Sequence, residues 1–132
     1  MGSSNKKGMA NMKYINIRND FFGQEWMKAL NDHRYRSAVS AFYIHLFGRQ
    51  CKTESEAKEV YERLRKELYK KLHTEFPFDE LITTLSLANV IRIDNDKESL
   101  TILDSPYIFL SERRDRDYVS LSIRALFESD TK

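Results

Sequence analysis

Apolar residues recur every three or four positions along much of this chain, which is the spacing of amphipathic helices. Thr53 and Glu56 have the Thr-x-x-Glu spacing of a capping box, so the longest helix is expected to begin there. The pattern predicts four helices in all: a short one after Asn19 and Asp20, and longer ones over about residues 34–47, 54–73 and 78–88. Gly48, Pro77 and Asn89 are expected to end the three longer helices, and Pro77 is also expected to start the helix that follows it.

A period of two replaces the helical period in two places. Residues 14–18 alternate apolar and polar side chains and predict a short strand. Residues 90–93 and 99–102 are rich in β-branched side chains and flank a polar turn over 94–97, which predicts a β-hairpin. Beyond Pro106, Ser111 is a candidate cap for a final amphipathic helix with Val119, Ile123, Leu126 and Phe127 on one face.

The order of these elements predicts an α+β, mostly helical fold. In a winged helix, a β-hairpin called the wing directly follows the recognition helix of a helix-turn-helix. The predicted order of elements has this arrangement, with 78–88 as recognition helix. At 132 residues and 41% hydrophobic content, the chain fits one domain, expected over 13–129. Residues 1–12, largely Gly, Ser, Asn and Lys, are interpreted as a disordered leader or tag remnant.

Two stretches resemble a known family. Residues 14–22 (YINIRNDFF) resemble the opening of the phage replisome organiser N-terminal domain, a DnaD-like winged helix. Residues 85–96 (LSLANVIRIDND) resemble that family's helix end and first wing strand, where Leu-x-x-x-Gly-Leu-Ile is usual and this chain has Asn89 for the Gly. The resemblance implies a phage or mobile-element protein that binds DNA in replication initiation.

Charge narrows the candidate DNA contacts to local patches. The 22 Lys and Arg nearly balance 20 Asp and Glu, for a net charge of +2. No acidic residue lies between Asp32 and Glu54, so Arg34 and Arg36 are candidate phosphate contacts there.

A second patch, Arg63, Lys66 and Lys70, lies on one side of the third helix. Its favoured interpretation is a solvated helix in which Glu59, Glu62 and Glu67 pair with the bases four residues later.

The recognition helix carries no base on its outward positions. Thr83 and Ser86 are candidates for base edges, but Asp79 and Glu80 would face phosphates. An outward Leu87 beside them suits a protein partner at least as well.

The hairpin and the end of the chain add a few more candidates. Arg92 and Lys97 flank the hairpin turn and are candidate wing contacts, whereas Asp94 and Asp96 are explained by turn chemistry. Arg113 and Arg114 lie near the expected start of the last helix, where its dipole disfavours them, which points to a partner. The broad apolar arc of that helix suggests a homodimer through it.

The sequence contains no signature of a catalytic site, of a cofactor or metal site, or of a membrane-spanning helix. His33, His45 and His73 are widely spaced, no nucleophile signature or glycine-rich loop is present, and Cys51 has no ligand partner nearby. No apolar run approaches the length of a membrane helix. We therefore expect a cytoplasmic protein that is not an enzyme and takes no cofactor.

Two functions remain open from the sequence. The first is a winged-helix protein that binds double-stranded DNA in replication initiation or transcriptional control, with contacts at Arg34, Arg36, Arg63, Lys66, Lys70, Thr83, Ser86, Arg92 and Lys97. The second is a small interaction module that binds and regulates or inhibits a host or phage protein, through Asp79, Glu80, Leu87, Arg113 and Arg114.

Overall fold

A computed structural model describes residues 12–18 and 32–124. The predicted leader, the short helix expected after Asp20, and the last residues from 125 onward lie outside the described residues. The described chain contains β1 (Tyr14–Arg18), α1 (His33–Arg49), α2 (Glu54–Leu72), α3 (Phe78–Leu87), β2 (Ile91–Asp94), β3 (Ser99–Ile102), β4 (Ile108–Ser111) and β5 (Tyr118–Ser122). The α+β class is confirmed, with three helices and two small antiparallel sheets.

Helix α1 is the centre of the core. Its N-cap is Asp32, whose Oδ1 accepts a hydrogen bond from Arg34 N at 2.8 Å. The apolar positions that recur every three or four residues, Tyr35, Ala38, Val39, Phe42 and Leu46, are buried. Side chains on other faces are buried too, because α2 and α3 both pack against α1. The expected stop at Gly48 is wrong: the helix continues to Arg49, and Gln50 supplies the left-handed turn at φ 52°. The buried residues of α1 are Tyr35, Ser37, Ala38, Val39, Ser40, Ala41, Phe42, Tyr43, Ile44 and Leu46.

Helix α2 begins as the capping pattern predicts, with Thr53 Oγ1 accepting from Glu56 N at 3.1 Å. The return contact differs, because Glu56 Oε1 accepts from Lys52 N at 2.6 Å, one residue before the cap. The helix ends at Leu72 with His73 left-handed at φ 57°, well before Pro77. Pro77 is therefore not its terminator but the N-cap of α3.

The predicted hairpin is confirmed as β2 and β3, in antiparallel register with Ile91 opposite Ile102. Asn89 makes the turn into it at φ 61°, and Val90 N donates to Leu85 O at 3.1 Å. The connection from α1 to α2 joins the hairpin edge, because Leu100 N donates to Lys52 O at 2.8 Å and Thr53 bridges to Ser99. The hairpin is thus tied to the end of the α1–α2 connection, directly before α2 begins.

The second sheet has the order β4-β1-β5, with β1 antiparallel to both neighbours. Ile15 and Ile17 of β1 are fully buried and belong to the hydrophobic core. The predicted C-terminal helix is wrong over Tyr118–Ser122, which form β5. In that segment Val119 and Leu121 alternate with polar neighbours. Pairing with β1 also satisfies the backbone groups on that edge of β1, which would stay unpaired if the segment were a helix. The helical surface proposed for dimerisation is absent there.

Aromatic edge contacts join the three helices. Phe42 of α1 packs its ring at 6.4 Å from that of Tyr61 in α2 and at 6.1 Å from that of Phe78 in α3. The rings of Tyr61 and Phe78 lie 5.4 Å apart. Such edge-to-face contacts add specificity to the burial of large apolar surfaces. Across the described ranges, no helix combines the length and apolarity needed to cross a membrane.

Candidate functional site

An open groove of about 580 Å³ lies between α3 and the hairpin. Three of the predicted DNA contacts, Thr83, Ser86 and Arg92, line it together although they belong to two different elements. Leu87, proposed for the rival function, lines it too. The full lining is Glu54, Ile82, Thr83, Ser86, Leu87, Asn89, Ile91, Arg92, Ile93, Asn95 and Leu103.

The polar lining of this groove offers hydrogen bonds rather than strong charge. Thr83 and Ser86 contribute hydroxyls, and Asn89 and Asn95 contribute amides, each able to donate and accept. Arg92 adds a guanidinium on an exposed position of β2. These groups suit a ligand that presents hydrogen-bond donors and acceptors at fixed positions along one edge.

Helix α3 is held firmly beneath the groove. Its side chains Phe78, Leu81 and Leu85 are buried. From α1, the Tyr35 hydroxyl donates to Glu80 O at 3.2 Å and lies 2.5 Å from Thr84 Oγ1. Burial raises the pKa of Tyr35 to about 12, which favours the protonated phenol. The outward residues of α3 are therefore presented on a rigid helix.

The hairpin tip is a polar turn with mixed charge. Asp94 Oδ1 accepts from Asp96 N at 3.1 Å, as turn chemistry predicts, and Glu98 is left-handed at φ 55°. Lys97 N donates to Asp94 O at 3.2 Å, and in this short turn its sequence neighbours include three acids, Asp94, Asp96 and Glu98. Arg92 is consequently the better placed of the two predicted wing cations.

The predicted cations of α2 do not join the groove. The side of α2 that faces α3 is marked by Lys58, whose Nζ lies 4.9 Å from the centroid of the Phe78 ring, and by Arg65, whose Nε lies 3.7 Å from Glu75 Oε2. At 100° per residue, Arg63, Lys66 and Lys70 lie roughly 80 to 140° around the helix from Lys58. They form a separate surface, which we call the α2 outer face.

A second groove, of about 670 Å³, borders the α2 outer face. It runs between α2 and the last turns of α1, and Arg49 and Arg63 from the two helices share it. Its lining is Ile44, His45, Gly48, Arg49, Arg63, Leu64, Glu67, Leu68, Lys71 and Ile123.

The expected self-pairing of α2 is not what the structure shows. Glu62 lies 3.6 Å from Arg65, three residues on, instead of pairing with Lys66. Arg65 also contacts Glu75 beyond the helix end. Within the part of the chain that is described, no carboxylate oxygen lies within 4 Å of Arg63, Lys66 or Lys70.

The cations near the start of α1 lie apart from the groove lining. Arg34 Nη1 donates to Thr74 Oγ1 at 3.1 Å, and its Nε lies 3.8 Å from Asp32 Oδ1. Arg36 is half-buried. Asp79 and Glu80, proposed for a protein partner, are exposed in the first turn of α3, where their charge complements the helix dipole.

Arg113 and Arg114 lie on a loop that crosses β1 to join β4 to β5, and not at a helix start as predicted. Asn16, almost fully buried, fixes this loop by donating from Nδ2 to Arg113 O at 3.1 Å. The Asn16 Oδ1 accepts from the Ser120 hydroxyl. The guanidinium of Arg114 lies 5.4 Å from the Tyr14 ring centroid.

Sequence reasoning missed part of the groove lining. Asn89 was assigned only to a turn and Asn95 only to the hairpin tip, yet both line the groove. Glu54 was read only as the first residue of a helix. Their polarity was visible, but their convergence depends on the angle between α3 and the hairpin.

Comparison with known proteins adds no relative. The chain matches no family model, no curated protein and no solved structure.

Proposed function

We propose that this protein is a winged-helix domain that binds double-stranded DNA, with α3 as recognition helix and β2–β3 as the wing. The observation that carries the proposal is the convergence of Thr83, Ser86 and Arg92 on one open groove between those elements. The bridge from Thr53 to Ser99 supports it, because the connection between α1 and α2 then pairs with the hairpin, as in a winged-helix order.

The groove chemistry fits base edges better than phosphates. Hydroxyls and amides pair with the donors and acceptors exposed in the major groove, and arginine binds guanine O6 and N7 with two hydrogen bonds. We assign Thr83 and Ser86 to base edges and Arg92 to a base or to the neighbouring backbone. Lys97 remains a weaker wing contact because of its acidic neighbours.

The biological setting in this proposal rests on the family resemblance. We place the protein in a phage or other mobile element, in replication initiation or transcriptional control. Asn89 is compatible with that resemblance, since it is left-handed at φ 61° where the family commonly has Gly. Asn is the side chain that best tolerates this conformation after Gly.

Fluorescence anisotropy with a mixed-sequence duplex at two salt concentrations tests the proposal. Wild type is expected to bind more tightly at low salt, because DNA contacts release counterions. Arg92→Ala is expected to weaken binding, and Thr83→Ala with Ser86→Ala to reduce discrimination between sequences. Lys13→Ala, an exposed cation outside the groove lining, is the matched control. Absence of duplex binding at low salt would refute the proposal.

One observation favours the rival function, a protein-interaction module. Leu87 is 49% exposed at the groove edge, and the outward surface of α3 has Asp79 and Glu80 but no base. Changing Asp79 and Glu80 to Lys separates the two functions. The change strengthens duplex binding if α3 enters DNA, and weakens a protein complex if the acidic surface is used. Leu87→Ser is expected to affect only the protein complex.

A further inference from the structure

The α2 outer face concentrates cations that the groove does not use. Arg63, Lys66 and Lys70 are exposed, and no carboxylate of the described chain lies within 4 Å of them. Glu62, the acid best placed to neutralise Lys66, is turned to Arg65. The face therefore keeps its positive charge available to an outside ligand.

The fold extends this face across two helices. Arg49, from the end of α1, and Arg63 line the same groove, which sequence spacing does not indicate. Lys71 lines it as well, while Glu67 is the one carboxylate among its described lining residues. The combined surface has a clear excess of positive charge beside an otherwise nearly neutral molecule.

The spacing of the cations fits a nucleic-acid backbone. Residues 63 to 70 span roughly 10 Å of helix at about 1.5 Å per residue. One DNA strand places a phosphate about every 3.4 Å along the axis, so the face covers about three phosphate steps and each of its three cations can meet a phosphate of one strand. A flexible acidic peptide segment has no such fixed charge spacing.

We propose that the α2 outer face, with Arg49 at its edge, is a second surface for the phosphate backbone of duplex DNA. Because it is turned away from the α3 side of α2, one protein molecule would hold two duplex segments at once. The claim about two segments rests on the proposed function of the groove, whereas the claim about phosphate binding does not.

The two surfaces are separated by measuring duplex binding in a groove variant, Thr83→Ala with Ser86→Ala and Arg92→Ala. Binding of a 20-base-pair duplex is expected to persist, with log K falling against log salt with a slope of about −2.7 for three phosphates. Adding Arg63→Gln, Lys66→Gln and Lys70→Gln is expected to abolish it. Adding Arg113→Gln, Arg114→Gln and Arg116→Gln, an equal loss of charge, is expected to leave it unchanged.

The outcomes distinguish the two proposals. If the groove variant binds duplex as wild type does, the proposed function of the groove fails and the α2 surface stands. If the groove variant binds no duplex at low salt while its thermal unfolding is normal, the α2 surface is overturned. Equal losses from the two glutamine sets would also overturn it, because binding would then follow net charge alone.

A bridging assay tests whether two segments are held together. A biotinylated duplex on beads is expected to retain a second, fluorescent duplex when wild-type protein is present. The variant Arg63→Gln, Lys66→Gln and Lys70→Gln is expected to bind the first duplex and lose the second. Bridging that survives these substitutions would come from a protein dimer and would contradict the proposal, as would a wild type that cannot bridge.

Discussion

The two sheets of this protein are built from pairings of very different range. Ile91 and Ile102 pair across a hairpin turn, whereas Ile17 of β1 pairs with Ile108 and with Val119 near the other end of the described chain. The hairpin forms the wall of the candidate groove, and the three-stranded sheet carries the loop of Arg113 and Arg114. Local pairing requires little chain entropy to be lost before contacts form, while long-range pairing depends on the helical core being assembled.

The difference explains where sequence patterns were informative. In the hairpin, strand and partner are adjacent, so one alternating segment identifies the other. In the three-stranded sheet, the alternation in β1 predicts a strand, but nothing in its sequence indicates that β4 and β5 are its neighbours. We expect the two sheets to respond differently to substitution.

The largest expected effect is in the central strand. Ile17→Ala removes a fully buried side chain and is expected to lower the free energy of unfolding by about 2 to 5 kcal/mol. Ile93→Ala, in the half-buried hairpin position, is expected to cost clearly less. Urea denaturation of both variants measures the contrast. Equal losses would mean that the hairpin is as tightly integrated into the core as β1.

Alkaline pH tests the connection between the two sheets. Burial, with a smaller contribution from Asp104 in that connection, raises the pKa of Tyr43 to about 12 from 10. The protonated phenol is favoured in the folded state, so its contribution is fully present below pH 10 and is lost as pH rises to about 12. A two-unit rise corresponds to on the order of 3 kcal/mol. Tyr43→Phe should make the loss of stability between pH 10 and pH 12 smaller, with the contribution of Tyr35 remaining. An unchanged loss would show that Tyr43 is not the source of this dependence.

Asn16 tests how the crossing loop depends on β1. Asn16→Ala removes hydrogen bonds to Arg113 O and Ser120, each worth about 0.5 to 1.5 kcal/mol, and is expected to destabilise the protein by about 1 to 3 kcal/mol. Local opening of the loop should also speed trypsin cleavage at its arginines. Thr101→Ala, at an exposed position of β3 away from this loop, is the control. Unchanged cleavage would show that Asn16 does not fix the loop.

The smallest effect is expected where α3 turns into the hairpin. Asn89→Ala places a side chain with no local hydrogen bond in the left-handed region and is expected to cost about 1 kcal/mol. Asn89→Gly should be neutral or stabilising at the same position. Thermal unfolding of the pair provides the measurement. A loss with Gly as large as with Ala would show that the amide, and not the backbone conformation, matters there.

The candidate site, like the two sheets, has a part that the local sequence predicts and a part that only tertiary packing decides. Thr83, Ser86 and Arg92 were selected from the sequence, and their shared groove follows from a helix and a hairpin that are neighbours in the chain. The pairing of Glu62 with Arg65, and the joining of Arg49 to Arg63, were not predictable. Both depend on side-chain orientation and helix packing, which a single helical pattern does not contain.

The sequence by itself determined the β1 strand, the three described helices and the hairpin, because each is governed by a local period, a cap or a turn residue. Tertiary structure decided that Tyr118–Ser122 form a strand, since an apolar segment of that length satisfies either period until a partner edge is present. It also decided that the cations of α2 face away from the groove. Helix packing fixes that orientation, and packing is a property of the assembled core.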